Sequence, residues 1–514
     1  TCALPISYEW FEQEGQLKPV VDRQAGEHQS AVLIGTIETE LNKPKRKIKR
    51  ALIISDPTKS MGALTEAECI RIIALLHLAK KEQIPVEWVA TSGGAKIDWE
   101  TGTENLDWCA KVLKEIIDFR KSGGEINIIV AGACVGAQSY WNAQATMMLQ
   151  SKGVLVMTDR GSMVLTGKRA LDFSGCVSAE DELDLGGYAS IMGPNGQAQL
   201  HSTDLSKAYK LLYRFYDLTY CDPLSKQVPK VQTKDVYDRK ISIFPYPQDL
   251  AHGFQAVGDL FSSRNLERKK PFSVRVVMQA IIDQDLPYLE RWGATQGAET
   301  AVVWHCRLGG YATTLIGIDN QSYERLGHIE QGPNTWAGGT LYPQASKKIA
   351  KAIYASQDKN PVVILANLSG FDGSPESLRN LQLEYGAAIG EAVVDFKGSL
   401  IFVVLSRYHG GAYVVFSKSL NPNLTSLALE GSFASVIGGT PAAGVIFQRE
   451  VQQLAKQLGS SESAYDTALK TIAKKFDQIH DVQRAKQVGS IDQVIAVDDL
   501  RPQLIDQLTK QYQN

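Results

Sequence analysis

Ile126, Ile128, Ile129 and Val130 make a nearly unbroken apolar run that stops at Gly132 and gives way, past Gly136 and Ala137, to the mixed stretch Gln138–Thr146. An apolar run of this length bounded by small residues reads as a buried strand, and the mixed stretch reads as a helix. Gly132, Gly136 and Ala137 set no bulky side chain between the backbone and a ligand. A helix that opens there turns its unpaired N–H groups toward whatever lies in front of it. That arrangement suits an oxygen that gains negative charge during a reaction. The same order of events recurs at Leu400–Phe416, where an apolar strand runs into Gly410, Gly411 and Ala412.

The surroundings of the two turns match as well. Upstream of the first, VEWVATSGGAK ends a strand at Ser92-Gly93-Gly94; upstream of the second, VVILANLSGFDG ends one at Ser369-Gly370-Phe371. Between them lie helical patterns that end in IIDFR (Ile116–Arg120) and VVDFK (Val393–Lys397). Aligning Gly93 with Gly370 and Gly136 with Gly411 gives nearly equal spacing, so the chain reads as two copies of one strand–turn–helix unit.

Other elements alternate in the same manner. Thr65–Glu82 carries Ile70, Ile73, Ala74, Leu76 and Leu78 at helical spacing, and strand Val86–Ala90 follows. Gly153–Met157, Ser162–Leu165 and Gln199–Ser202 read as strands, and Asp204–Tyr213 as a helix. Tyr220–Pro271 has five prolines and little periodicity, which predicts an ordered linker. Past it, Glu299–Ile318 predicts a strand pair about Gly309-Gly310, and Ser346–Tyr354, Val451–Leu458 and Ser463–His480 predict helices. The fold class is α/β. The expected division is an extension over 1–50, a first domain over 51–219, a linker over 220–271 and a second domain over 272–514.

A chain of 514 residues exceeds one ordinary core, in keeping with two domains. Net charge −2 with 44% hydrophobic and 21% charged residues gives no reason to expect nucleic acid as a partner. No run of about 18 apolar residues predicts a membrane span. The seven cysteines include no CxxC pair, so neither a zinc site nor a disulfide framework is expected, and a reducing cytoplasm fits. Thr1–Ile6 (TCALPI) lacks an initiator Met and reads as foreign to the fold. The basic cluster Lys43–Arg50 predicts a solvated loop leading into strand Ala51–Ser55.

Candidate chemistry gathers at the turns. Gly132-Ala133-Cys134-Val135-Gly136 has the spacing of a hydrolase nucleophile elbow, with His201 and His252 downstream as possible bases. The second turn has Tyr408 and His409 where that nucleophile would stand, so a buried structural thiol is the default for Cys134. His409 can be a base or a positioned histidine. Lys96 and Arg407 each adjoin a Gly turn, where they could meet an anion.

From about Ala51 to Lys510 the chain resembles the carboxyltransferase component of biotin-dependent acyl-CoA carboxylases, a tandem of two crotonase-like domains. The matching segments are Thr91–Ile97, Gly132–Ala145, Leu185–Gly187, Tyr342–Ile353, Asn367–Ser374, Tyr385–Phe396, Arg407–Phe416 and Gly489–Ile495. The resemblance implies transfer of CO2 from carboxybiotin to the α-carbon of an acyl-CoA. The Gly136 and Ala137 amides would hold the thioester oxygen and the Gly411 and Ala412 amides the ureido oxygen. Ser92, Gly93, Gly94, Lys96, Gly370, Phe371 and Arg407 would line the substrate sites. It implies at least a head-to-tail homodimer, with biotin as cofactor on a carrier that lies, like the biotin carboxylase, upstream or on other chains. Acetyl-CoA-specific eukaryotic-type enzymes have Arg in place of Lys96 and Ser369, so the resemblance does not carry their mode of carboxylate recognition over to this chain. A cysteine hydrolase using Cys134, a silent scaffold subunit and a decarboxylase running the transfer in reverse are the alternatives.

Overall fold

Val32–Asn42 and Lys45–Ser55 pair antiparallel along their whole length, from Val32 opposite Ser55 to Asn42 opposite Lys45. From there the sheet continues in parallel through Val86–Ser92, Ile126–Val135, Leu155–Thr158 and Leu200–Ser202. Parallel pairing needs crossovers, which the helices Glu66–Glu82 and Thr103–Lys121 supply. Ile126–Val130 is buried throughout, as a strand covered on both faces must be. These elements belong to the first of two compact units in this computed structural model, 1–231 with 289–296 and 354–359; the second comprises 232–288, 297–353 and 360–514. The structure describes residues 6–513 except 15, 22, 25, 43, 222–226, 248–251, 328, 330 and 331. Nearly all of the TCALPI segment thus lies outside the described residues. Among them, no helix is long and apolar enough to cross a membrane.

Helix Glu66–Glu82 shows how local sequence sets an element. Thr65 stands at its N-cap, and the Glu68 carboxylate reaches back to accept from the Thr65 N–H at 3.1 Å and from its hydroxyl. Cys69, Ile72, Leu75, Leu76 and Ala79 then face the core. Gln83 ends the helix in the left-handed region.

The second unit repeats the plan. Ala301–Leu308 and Tyr311–Ile318 form a hairpin through Gly309-Gly310, and the sheet runs on in parallel through Val362–Leu368, Leu400–His409, Leu424–Leu429 and Gln493–Ile495. In both units a bulge precedes one isolated rung: Ser92 opposite Cys134 in the first, Leu368 opposite Tyr408 in the second. In both, a short strand also pairs with the last residues of the central one. Ser162–Val164 pairs with Ala133–Val135, and Phe433–Ser435 with Arg407–His409.

These rungs fix the correspondence between the copies: Cys134 with Tyr408, Val135 with His409, Gly136 with Gly410, and Ala137 with Gly411. Alignment by glycines alone, Gly136 on Gly411, is therefore one residue out. A second correction concerns Lys43–Arg50. Apart from Lys43, outside the described residues, and Pro44, the cluster lies within strand Lys45–Ser55, and Arg50 is fully buried. The segment expected as a linker contributes Ile241, Tyr246, Phe254, Val257 and Leu260 to the core of the second unit.

Candidate active site

Each unit has a cavity at the mouth of its glycine turn. In the first it is about 1240 Å³ and is walled by the loop after Val86–Ser92, the turn Val135-Gly136-Ala137 and the stretch Leu165–Ala170. Ser92, Gly93, Gly94, Lys96, Gly136 and Ala137 all line it. In the second it is about 620 Å³ and is lined by Gly370, Phe371, Arg407 and Gly411 among others. Ala412 is fully buried and is not part of that wall. The shifted register is the reason: Ala412 answers to Gln138, not to Ala137.

Gly136 and Gly410 cap the helices Ala137–Thr146 and Gly411–Val415 with φ of +56° and +70°. A side chain at either position would be strained in that region. Neither glycine offers its own N–H to a ligand. The Gly136 N–H donates to Val164 O at 2.9 Å, and the Gly410 N–H to Val436 O at 3.0 Å. The groups left facing forward belong to the first helical residues, Ala137 and Gly411, which have no carbonyl four residues back within their helices. Gly136 thus leaves the expected donor set.

The opposite wall adds a donor that sequence reasoning missed. Leu64 N–H donates to Gly94 O and Lys96 N–H to Leu64 O, each at 2.9 Å. In such a parallel bridge the enclosed residue, Ala95, points its own N–H away from Leu64. Phe371 holds the equivalent place in the second unit, opposite Leu341 and followed by Asp372 N–H donating to Leu341 O at 3.0 Å. Ala95 and Phe371 both line their cavities. Each cavity thus has one N–H from a loop and one from a helix start. Nothing in the residue types at 95 and 371 announces this, because the donors are backbone.

Several expected side chains are otherwise engaged. Ser92 Oγ donates to Gly62 O and accepts from the Gly94 N–H, and the Gly93 N–H donates to Met61 O, so these residues shape the loop. Lys96 Nζ pairs with Asp98 at 2.7 Å at an exposed site. Arg407 Nη2 meets Asp477 at 3.1 Å and donates to Glu267 O at 2.7 Å, which fixes it in the wall. His201 pairs with Asp159 at 2.7 Å and stacks on Tyr188. Cys134 is wholly buried, and that burial pushes its thiol up to about 12, so it is protonated at neutral pH. The polar groups beside it are the Asn142 side chain and the Ser92 backbone N–H, neither of which is a base. Among the described residues, no group of three or more His, Cys, Asp or Glu side chains could hold a metal ion.

The model of the family described as "Carboxyl transferase domain" matches residues 48–514. This chain belongs to that family. The carboxyl transferase relatives include a mitochondrial acetyl-CoA carboxylase of Saccharomyces cerevisiae strain RM11-1a, 27% identical over 322 residues, which are 59% of this chain and 13% of that protein. The acetyl-CoA carboxylase of Dictyostelium discoideum is 25% identical over 344 residues, 63% of this chain and 14% of its own length. The match thus spans a small part of each of these relatives. Among solved structures, transcarboxylase 12S with methylmalonyl-coenzyme A and methylmalonic acid bound matches with a TM-score of 0.73 at 19% identity, covering 94% of this chain and 82% of that one. The fold is the crotonase-like one of the carboxyl transferases, present in two copies.

Proposed function

We propose that this chain carries out the carboxyltransferase step of a biotin-dependent acyl-CoA carboxylase, moving a carboxyl group between a biotin ring and the α-carbon of an acyl-CoA. The observation that carries this reading is the pair of backbone cradles, one in each unit, built alike and lined differently. In the first, the Ala95 and Ala137 N–H groups hold the thioester oxygen. As the α C–H bond breaks, enolate charge gathers on that oxygen, and donors already aimed at it need no reorganisation. In the second, the Phe371 and Gly411 N–H groups hold the ureido oxygen and so orient the ring. Carboxybiotin, when bound, supplies the carboxyl group and a ring nitrogen that ends with the α-proton. The second cavity suits such a ring. Its wall is open at Gly370, where a Cβ would meet no atom within 4 Å, and it contains a buried imidazole nitrogen with no hydrogen-bond partner among the described residues.

Malonyl-CoA formation from acetyl-CoA, with a carboxylated biotin carrier supplied separately, tests the reading. Longer acyl-CoA substrates in the same assay fix the chain length. Absence of carboxyl transfer to every acyl-CoA tried would overturn it. Cys134→Ala should keep most of the wild-type rate, since only the thiol is removed and both cradles stand. Loss of activity in a folded Cys134→Ala protein would return the thiol to the mechanism.

The partners that follow are acyl-CoA, a biotin carrier with its carboxylase, and a second copy of this chain. Support for the last lies beside the first cavity, where Ile97, Trp99 and Phe173 are almost wholly exposed. Sedimentation should give a dimer or larger particle. A fully active single-copy species would contradict the assembly.

A further inference from the structure

His409 and Val135 hold the same place in the two units. Each is the last residue before its capping glycine, Val135 opposite Val164 and His409 opposite Ser435, and each lines its own cavity. One cavity therefore has an apolar side chain at this point and the other an imidazole. That imidazole is only 3% exposed. Its Nδ1 lies 3.1 Å from Ser435 Oγ and 3.3 Å from Ser435 O. Ser435 Oγ gives its own proton to Ile437 O, so it accepts from the ring. The ring proton therefore sits on Nδ1, and Nε2 keeps its lone pair.

Burial, with the neighbouring positive charge of Arg407, lowers the imidazole pKa to about 4, so the lone pair is free at neutral pH. Asp477 opposes that shift and His480 adds to it. Among the described residues nothing donates to Nε2. Gly438, also in the cavity wall, faces it: a Cβ there would lie 3.8 Å from Nε2, and its absence leaves that space to the cavity. A buried acceptor without a donor is costly, and one that faces a cavity asks for a donor from the ligand.

We propose that His409 selects the group that enters the second cavity, its Nε2 accepting a hydrogen bond from a ring N–H beside the carbonyl held by the Phe371 and Gly411 amides. The cavity then reads the N–H and C=O edge of a cyclic urea. A thioester has no such N–H, and Val135 makes no such demand in the first unit. The inference rests on the carboxyl transfer reading. In the biotin ring the N–H in question is the one remote from the carboxylated nitrogen, so it is present before and after transfer.

Two measurements on the full chain test it. Calorimetry compares biotin methyl ester with an analogue in which that N–H is replaced by oxygen, for wild type, His409→Phe and His409→Gln. Wild type should prefer the urea by about 10-fold or more, His409→Phe should lose the preference, and His409→Gln, whose amide oxygen can accept, should recover part of it. In the second, protein labelled with ¹⁵N-histidine should show the unprotonated His409 Nε2 resonance moving upfield on addition of the biotin ester and staying in place with the oxygen analogue. Equal binding of the two compounds by wild type overturns the inference whatever the variants do, as does an unmoved Nε2 signal with biotin bound. Failure of the underlying reading looks different: wild type binds neither compound and catalyses no biotin-dependent loss of malonyl-CoA, and the inference falls with it.

Discussion

Ala137→Pro should slow carboxyl transfer by roughly 10²- to 10³-fold, the usual cost of one lost oxyanion donor. The substitution is unusually clean at this position. Ala137 is the first residue of helix Ala137–Thr146, behind the cap Gly136. Proline is tolerated at that place because its missing N–H has no intrahelical partner, and its fixed φ suits the first turn. The variant therefore deletes the donor and leaves the helix. The loss should fall on kcat, with KM for acyl-CoA little changed, because the donor acts on charge that appears only in the transition state. A proline ring that merely blocked the cavity would raise KM instead. Gly411→Pro should have the same effect from the other cradle, and Ala137→Ser, which keeps the N–H, should stay near wild type. Circular dichroism melts establish folding before rates are compared. A folded Ala137→Pro protein that works at the wild-type rate would remove the first cradle from the mechanism.

Glu87→Ala should cost about 3–5 kcal/mol of stability, the range found when one partner of a buried ion pair is removed. Arg50 Nε lies 3.1 Å from Glu87 Oε2, and both side chains are fully buried. Tyr216 OH donates to the same oxygen at 3.1 Å, and the Arg50 guanidinium lies 5.7 Å and 5.2 Å from the Tyr213 and Tyr216 ring centroids. Removing the carboxylate leaves a cation with no route to water. The melting midpoint should fall by roughly 10 °C. Replacing both partners by apolar residues, Arg50→Met with Glu87→Leu, should restore much of the loss, since no charge is then left buried. A Glu87→Ala midpoint equal to wild type would show the pair to be solvated.

What the sequence made legible was whatever its own neighbourhood decides. The run Ile126–Val130 could only be a covered strand, and Thr65 with Glu68 marks a helix start in four residues. Such signals placed both turns and brought Gly93, Gly94, Lys96, Gly136, Gly370, Phe371, Arg407 and Gly411 to cavity walls. Features decided across distance were hidden. Arg50 reads as one more charge in a basic run until Glu87 is found beside it across the sheet. The register of the repeat depends on which carbonyl each capping glycine meets, Val164 or Val436, and both lie far along the chain. Counting glycines favoured Gly411 because two adjacent glycines look interchangeable until one amide is seen to be bonded. His409 could not be placed without Ser435. The 220–271 segment buries Ile241, Tyr246, Phe254, Val257 and Leu260 without a period and leaves Val236, Ile243 and Leu266 exposed, so no face could be read from it.

The donors proposed at both turns are amides, so an alanine scan would pass over them. Ala137 is already alanine, and Gly411→Ala keeps its N–H while placing a Cβ at an ordinary 3.6 Å from the Phe371 ring. The scan would report instead the residues that hold the loops in shape, such as Ser92 and Asp477, and so draw a map of the scaffolding around an apparently blank centre. For a site of this kind, proline or a backbone ester is the informative probe.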